Sequence, residues 1–153
     1  YELHKQDINI ALGTDGAASN NDLDMIGEMR CAALLAKGVA ANPTALPATA
    51  ALRMATINGA KALGIDGITG SLESGKSADI VAINMNNIET TPLYCPVSHL
   101  VYSCSREQVS DVWIAGKHLL KNRVLTGLDE NDIREQAHEW SRKIGSEDQA
   151  ISS

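Results

Sequence analysis

Short apolar runs alternate with polar, glycine-containing stretches along this chain, and their spacing predicts most of its elements. Residues 8–13 (Ile-Asn-Ile-Ala-Leu-Gly) are brief, apolar and closed by Gly13, which predicts a buried strand. The polar stretch 14–21 reads as a loop. Over 22–37, Leu23, Ile26, Ala33 and Leu34 recur at helical spacing. Asn21 or Asp22 is placed to cap the free N–H groups of that helix, and Gly38 to end it. Strand, polar loop and helix in this order form one βα unit.

Leu46-Pro47 opens a second predicted helix over 48–63, where proline is tolerated in the first turn. Leu52, Ala55, Thr56, Gly59, Ala60 and Leu63 share one face of it, and Gly64 is its stop. The character then changes. Residues 67–76 are rich in glycine and serine, and 79–83 is a compact strand. Residues 97–103 and 108–114 also read as strands. Ala115-Gly116-Lys117 reads as a hairpin turn with 118–121 returning. Asp129 caps a last helix with Ile133, Ala137, Trp140 and Ile144 on one face. The small, polar tail after Gly145 is expected to fray. The chain therefore divides into an α/β unit at 1–46, a connecting helix at 47–66 and a β-rich module at 67–153.

Composition narrows the function. The 153 residues are 44% hydrophobic with no Phe, so the core is aliphatic. A formal net charge of -6 leaves no basic face for nucleic acid. No apolar run reaches the length of a membrane span, and no N-terminal stretch has the form of a signal peptide. Cys31, Cys95 and Cys104 are too few and too scattered for a disulfide framework, which points to reduced thiols and a cytoplasmic location. The chain opens at Tyr1 within what reads as the end of a helix, as expected for the C-terminal part of a longer protein.

The chemistry concentrates at Asp15 in Gly13-Thr-Asp-Gly16. An Asp directly after a buried parallel strand sits where barrel enzymes keep their reactive groups. A carboxylate there can bind a divalent metal and take a proton from water that the metal acidifies. The plain alternative is a loop or capping residue. Ser19, Asn20 and Asn21 follow in the same loop; they either touch substrate or orient the carboxylate, or else hold a polar turn and cap the next helix. The other acids have simpler roles: Asp22 and Asp24 at a helix start, Asp79 in a turn, Asp129, Glu130 and Asp132 in a solvated first turn. His4, His99, His118 and His138 form no His-x-His or His-x-x-x-His pair, and there is no Cys-x-x-Cys. A zinc site needs three or more protein ligands, and these residues do not by themselves show them. The stretch Gly70-Ser-Leu-Glu-Ser-Gly-Lys76 lacks the spacing of a phosphate loop. Cys31, within a helix, reads as a packing residue.

Three stretches carry a resemblance. Leu12-Gly-Thr-Asp-Gly-Ala-Ala-Ser-Asn-Asn-Asp-Leu-Asp-Met25 resembles the eighth-strand region of the amidohydrolase superfamily. Residues 51–64 (Ala-Leu-Arg-Met-Ala-Thr-Ile-Asn-Gly-Ala-Lys-Ala-Leu-Gly) are similar to its post-barrel helix. Residues 70–81 (Gly-Ser-Leu-Glu-Ser-Gly-Lys-Ser-Ala-Asp-Ile-Val) are similar to the stretch leading into its β-sandwich. Within the superfamily the likeness is to the group that holds 5-methylthioadenosine/S-adenosylhomocysteine deaminases and triazine chlorohydrolases. The resemblance implies the C-terminal part of a (β/α)8 metal-dependent hydrolase barrel, plus the C-terminal share of a composite β-sandwich. It implies a divalent metal, zinc in most members, held by Asp15 and by histidines that lie upstream of Tyr1. It implies a small-molecule substrate, deamination of an adenosine-type nucleoside with release of ammonia, and a homo-oligomeric full-length protein. This chain alone would then be inactive. A chlorohydrolase or guanine-type deaminase of the same superfamily fits the loop equally well, and a non-enzymatic α/β binding module is the reading from a different class.

Overall fold

A computed structural model describes the backbone of residues 1–151 and the side chains of residues 1–145. In chain order its elements are α1 (Glu2–Lys5), α2 (Met25–Ala40), α3 (Ala48–Met54), α4 (Ile57–Ala62), β1 (Ile80–Ile83), α5 (Pro96–Tyr102), β2 (Val109–Ile114), β3 (Lys117–Lys121), β4 (Val124–Leu125) and α6 (Glu130–Ile151). Single 3-10 turns lie at Ile88–Thr90 and Arg106–Gln108.

The core is where α2, α3 and α5 meet. Ile26, Met29 and Ala33 of α2 close on Ala51 of α3 and Val101 of α5, with Leu12, Leu52, Leu100 and Val109 packed around them. Ala33 and Ala51 are fully buried, and residues this small let the helices approach closely. The helical layer thus draws α5 from the β-rich stretch and α2 from the α/β stretch.

Asp24 caps α2, not Asn21 or Asp22: its Oδ1 accepts the Ile26 N–H at 2.9 Å. Gly38 does not end the helix. It is solvent-exposed inside the last turn, where glycine costs only about 1 kcal/mol relative to alanine. The chain turns off at Ala41, in the left-handed region at φ 47°. The single helix expected over 48–63 is broken at Thr56 (φ -131°, ψ -101°) into α3 and α4. The Thr56 hydroxyl donates to the Leu52 carbonyl at 2.7 Å, a back-bond that competes with the helical ladder.

The strand expected at 97–103 is the helix α5. Pro96 occupies its first turn, and the only fully buried residue is Val101, with Val97 and Leu100 half-buried beside it. Burial runs unbroken from Val97 to Tyr102, not in the alternation of a strand, and a proline in the first turn suits a helix. Residues 8–13 form no strand ladder, because a ladder needs a neighbouring strand and none of the described residues provides one. The stretch still alternates: Ile10, Leu12 and Thr14 are half-buried, whereas Ala11, Gly13 and Asp15 are exposed. This period of two belongs to an extended chain with one face on the helices.

The remaining strands form an antiparallel sheet in the order β1-β2-β3-β4. Ala115 (φ 49°) and Gly116 (φ 76°) make the two-residue turn between β2 and β3, and Asn122 (φ 46°) and Arg123 (φ 68°) the one between β3 and β4. Positive φ at both central residues is the turn whose twist suits a hairpin. Trp113 and His118, paired across the first hairpin, stack with ring centroids 4.2 Å apart, and His118 Nε2 lies 2.9 Å from Asp111 Oδ1. Asp129 caps α6 by accepting the Asn131 N–H at 2.8 Å. The apolar stripe of α6 is exposed, Trp140 by 63%. The tail expected to fray after Gly145 continues α6 as far as Ile151, and residues 152 and 153 lie outside the described residues. Among the described residues no helix is long and apolar enough to cross a membrane.

Candidate active-site loop

The loop from Thr14 to Asp24 joins the extended 8–13 segment to α2, and hydrogen bonds within it fix one carboxylate. Asp15 has φ 59°, an uncommon conformation for a residue other than glycine. Its Oδ1 accepts the Gly16 N–H at 2.7 Å and its Oδ2 accepts the Ser19 hydroxyl at 2.7 Å. The Ser19 hydroxyl first, and then the Gly16 N–H, hold the Asp15 carboxyl below the usual carboxylate range. Asp15 is exposed, like Ala11 and Gly13 before it.

Asn20 closes the loop. Its Nδ2 donates to the Thr14 carbonyl at 2.8 Å and to Glu28 Oε1 of α2 at 3.3 Å, while its Oδ1 accepts the Asp22 N–H at 3.1 Å. One half-buried amide thus ties the start of the loop to its end and to the helix. Asn21 is exposed and makes no side-chain hydrogen bond among the described residues. Asp22 pairs with Arg106, in the 3-10 turn before β2. Arg123 donates to the Arg106 carbonyl at 3.0 Å and to Glu107 Oε2 at 2.9 Å, so the second hairpin braces that turn.

Of the residues singled out in the sequence, Asp15, Ser19 and Asn20 are therefore brought together, and Asn21 is not. Two contacts had no sequence signal, because the partners lie far apart in the chain: Asp22 with Arg106, and Asn58 of α4 with the 8–13 segment. Cys31 is exposed on α2, which removes the packing role read for it; Cys95 is also exposed and Cys104 is buried. Asp79 lies in irregular chain directly before β1, not in a turn, and its two oxygens accept the Ala115 N–H at 2.7 Å and the Thr69 hydroxyl at 2.7 Å.

An exposed carboxylate of lowered pKa is a sound oxygen donor to a hard or borderline cation. Asp15 fits a metal as one ligand. Among the described residues no three His, Cys, Asp or Glu side chains converge to complete a ligand set. Two surface hollows, one along Asp132, Glu135 and Arg142 of α6 and one where α6 follows β4, contain no residue of the loop.

Known proteins resemble this chain in sequence and fold. The chain is 51% identical over 143 residues to the 5-methylthioadenosine/S-adenosylhomocysteine deaminase of Teredinibacter turnerae, an alignment of 94% of this chain and 32% of that protein. The crystal structure of an adenosine deaminase from Xanthomonas campestris with bound zinc superposes with a TM-score of 0.91 at 48% identity, over 94% of this chain and 33% of that one. The atrazine chlorohydrolase of Arthrobacter aurescens TC1, complexed with zinc, gives 0.83 at 28% identity over 90% and 31%. The chain thus spans about a third of the length of the proteins it matches. Since residues 1–119 match the amidohydrolase family, this α/β chain belongs to that family.

Proposed function

We propose that this chain carries the strand-end aspartate of a zinc-dependent amidohydrolase that deaminates an adenosine-type nucleoside, with methylthioadenosine or S-adenosylhomocysteine as substrate. The observation that carries the reading is the Asp15 carboxylate, exposed at the end of an extended segment and held by Ser19 and Gly16. The names of the matched deaminase and of the zinc-bound adenosine deaminase point the same way. Bound zinc would supply Lewis-acid activation of water. Asp15 is the ligand this chain contributes, and its carboxylate accepts the proton of the attacking water and helps pass it toward the departing amine. Water adds at the amino-bearing ring carbon, the C–N bond breaks and ammonia leaves. Ser19 and Asn20 hold the carboxylate and the loop, and the Asn21 side chain, exposed and without a hydrogen bond among the described residues, is free to meet substrate.

In this reading residues 1–46 are the last βα unit of a barrel, 47–66 the connecting helices and 67–153 the sandwich share, within a cytoplasmic homo-oligomer. The remaining metal ligands come from chain beyond these residues. Chlorohydrolysis is the second reading, favoured by the match to the atrazine enzyme. A non-enzymatic binding module has no support from the family.

The full-length, zinc-replete protein is assayed for ammonia release from methylthioadenosine and S-adenosylhomocysteine, and for chloride release from atrazine. Ammonia release supports deamination; chloride release without ammonia replaces it with the second reading. Asp15→Asn should lose zinc and lower turnover by more than the roughly 100-fold seen when only an outer partner of a ligand is removed. Full zinc content and turnover in that variant would remove Asp15 from the mechanism.

A further inference from the structure

The segment that carries Asp15 is gripped from outside the loop. The Asn58 Nδ2 donates to the Ile10 carbonyl at 3.0 Å, and the Asn9 Nδ2 donates to the Asn58 carbonyl at 3.0 Å. The Leu12 N–H donates to the Met54 carbonyl at 3.0 Å. In an extended chain the carbonyl of residue 10 and the N–H of residue 12 lie on the same edge. That edge is therefore taken by groups from the end of α3 and from α4, not by another strand. Only the opposite edge, at residues 9, 11 and 13, is open to strand pairing.

Asn58 is half-buried near the start of α4, and α4 is fixed on its far side as well. Gly70 (φ 90°) lies so close that a Cβ there would sit 2.7 Å from the Ala60 Cβ and 3.1 Å from the Ile57 Cα. The helix is wedged between the Gly70 turn and the Asp15 segment. A two-point clamp from a wedged helix has a function that packing alone does not: it fixes register. A slip of one residue would exchange the two faces of the segment and turn Asp15 toward the helices. A slip of two would keep the face but move the carboxylate by about 6.5 Å, at roughly 3.3 Å per residue. A zinc–carboxylate bond is only about 2.0–2.2 Å long, so either slip takes the ligand out of reach.

We propose that Asn58 is a positioning residue: by pinning the Ile10 carbonyl it sets the register of the segment and so delivers the Asp15 carboxylate to the metal. The inference rests on Asp15 being a metal ligand. The carboxamide is suited to the task because it donates to a main-chain carbonyl, which an aspartate of the same size cannot do.

Asn58→Ala, Asn58→Asp, Asn9→Ala and Asp15→Asn are compared in the full-length enzyme. Zinc affinity by chelator competition should weaken by about 10–100-fold in both Asn58 variants, the range for groups that orient a ligand, with kcat reduced and KM within about twofold. The visible spectrum of the cobalt-substituted enzyme should change, and the Leu12 amide should exchange faster in the metal-free protein. Asn9→Ala, which removes one bond of the clamp, should shift each readout in the same direction by less, and it carries the test if the Asn58 variants do not fold. Folded Asn58 variants with native zinc affinity and a native cobalt spectrum overturn the proposal, even if their melting temperatures fall; so does an unaltered Asn9→Ala where it stands alone. Zinc retained by Asp15→Asn would refute the ligand reading itself. Zinc lost from Asp15→Asn but kept by the Asn58 variants would refute this inference alone.

Discussion

Lys37 offers a quantitative test of the helical layer beneath the loop. Its ammonium lies at the last turn of α2 and donates to the Ala45 carbonyl at 2.7 Å, the Leu46 carbonyl at 3.0 Å and the Tyr102 hydroxyl at 2.8 Å, with the Ala33 carbonyl at 3.4 Å. It joins α2, the connection to α3 and the end of α5 at one point. It also supports Leu46, whose φ of 44° is costly for a residue with a Cβ. Lys37→Met keeps the aliphatic stem and removes the donor. Ala45 and Leu46 are buried, and each carbonyl left without a partner costs about 1–3 kcal/mol. The Tyr102 hydroxyl, half-buried, can turn to water. Relief from desolvating a half-buried ammonium offsets part of the loss. The net expectation is a destabilisation of about 2–3 kcal/mol, read as a lower Tm. Thermal melting of the zinc-loaded enzyme, followed by near-ultraviolet circular dichroism, measures it. Turnover per folded molecule should be unchanged, since Lys37 touches nothing in the 14–24 loop. An unchanged Tm, or a drop in kcat at unchanged Tm, would refute the reasoning.

Three further outcomes follow from local geometry. Gly70→Ala should lower stability by about 2 kcal/mol or more, since it combines a left-handed φ with a 2.7 Å approach to Ala60; urea titration checks it, and a neutral result would mean that α4 is not wedged. Ala115→Asn should raise stability by about 0.5–1 kcal/mol, because Asn tolerates the left-handed first position of the hairpin turn better than Ala; an unmoved denaturation midpoint would count against that turn assignment. The Ala115 N–H first, and then the Thr69 hydroxyl, hold the Asp79 carboxyl below its ordinary range. A lowered folded value means that its contribution is fully present above about pH 4 and is lost as pH falls through the folded value. Asp79→Asn should therefore flatten the acid limb of a stability–pH profile while leaving its neutral and alkaline part parallel to wild type; an identical acid limb would contradict the assignment.

What the sequence made legible depended on the range of the forces involved. The hairpin at Ala115-Gly116 is local chemistry, and it forms where the turn residues lie. The face of α2 was legible at Ile26 and Ala33, but Leu34 lies exposed, 53%, so the stripe is narrower than the apolar count. The stretch 97–103 misled because Val97, Val101 and Tyr102 favour strands, and a run this short carries too little periodicity to separate strand from helix. Pro96 at the first helical position was the signal that pointed the other way. At 8–13 the brief apolar run predicted a buried strand; the segment is instead half exposed and unpaired in any sheet, because a strand is completed by hydrogen bonds from a neighbouring strand, and no described residue is placed to give them. Asp15 stood out through its motif. The partners of its segment did not, because Asn58 meets Ile10 across 48 residues, and no local pattern encodes such a contact.

The two rows of the extended segment answer to different demands. Leu12 packs against the helical core, whereas Ala11 and Gly13 are exposed and bury nothing there. Enlarging positions 11 and 13 changes exposed surface before the loop without disturbing the core. Such a segment separates evolvability from foldability within a few residues: its exposed row can change while the helical support of the other row is kept.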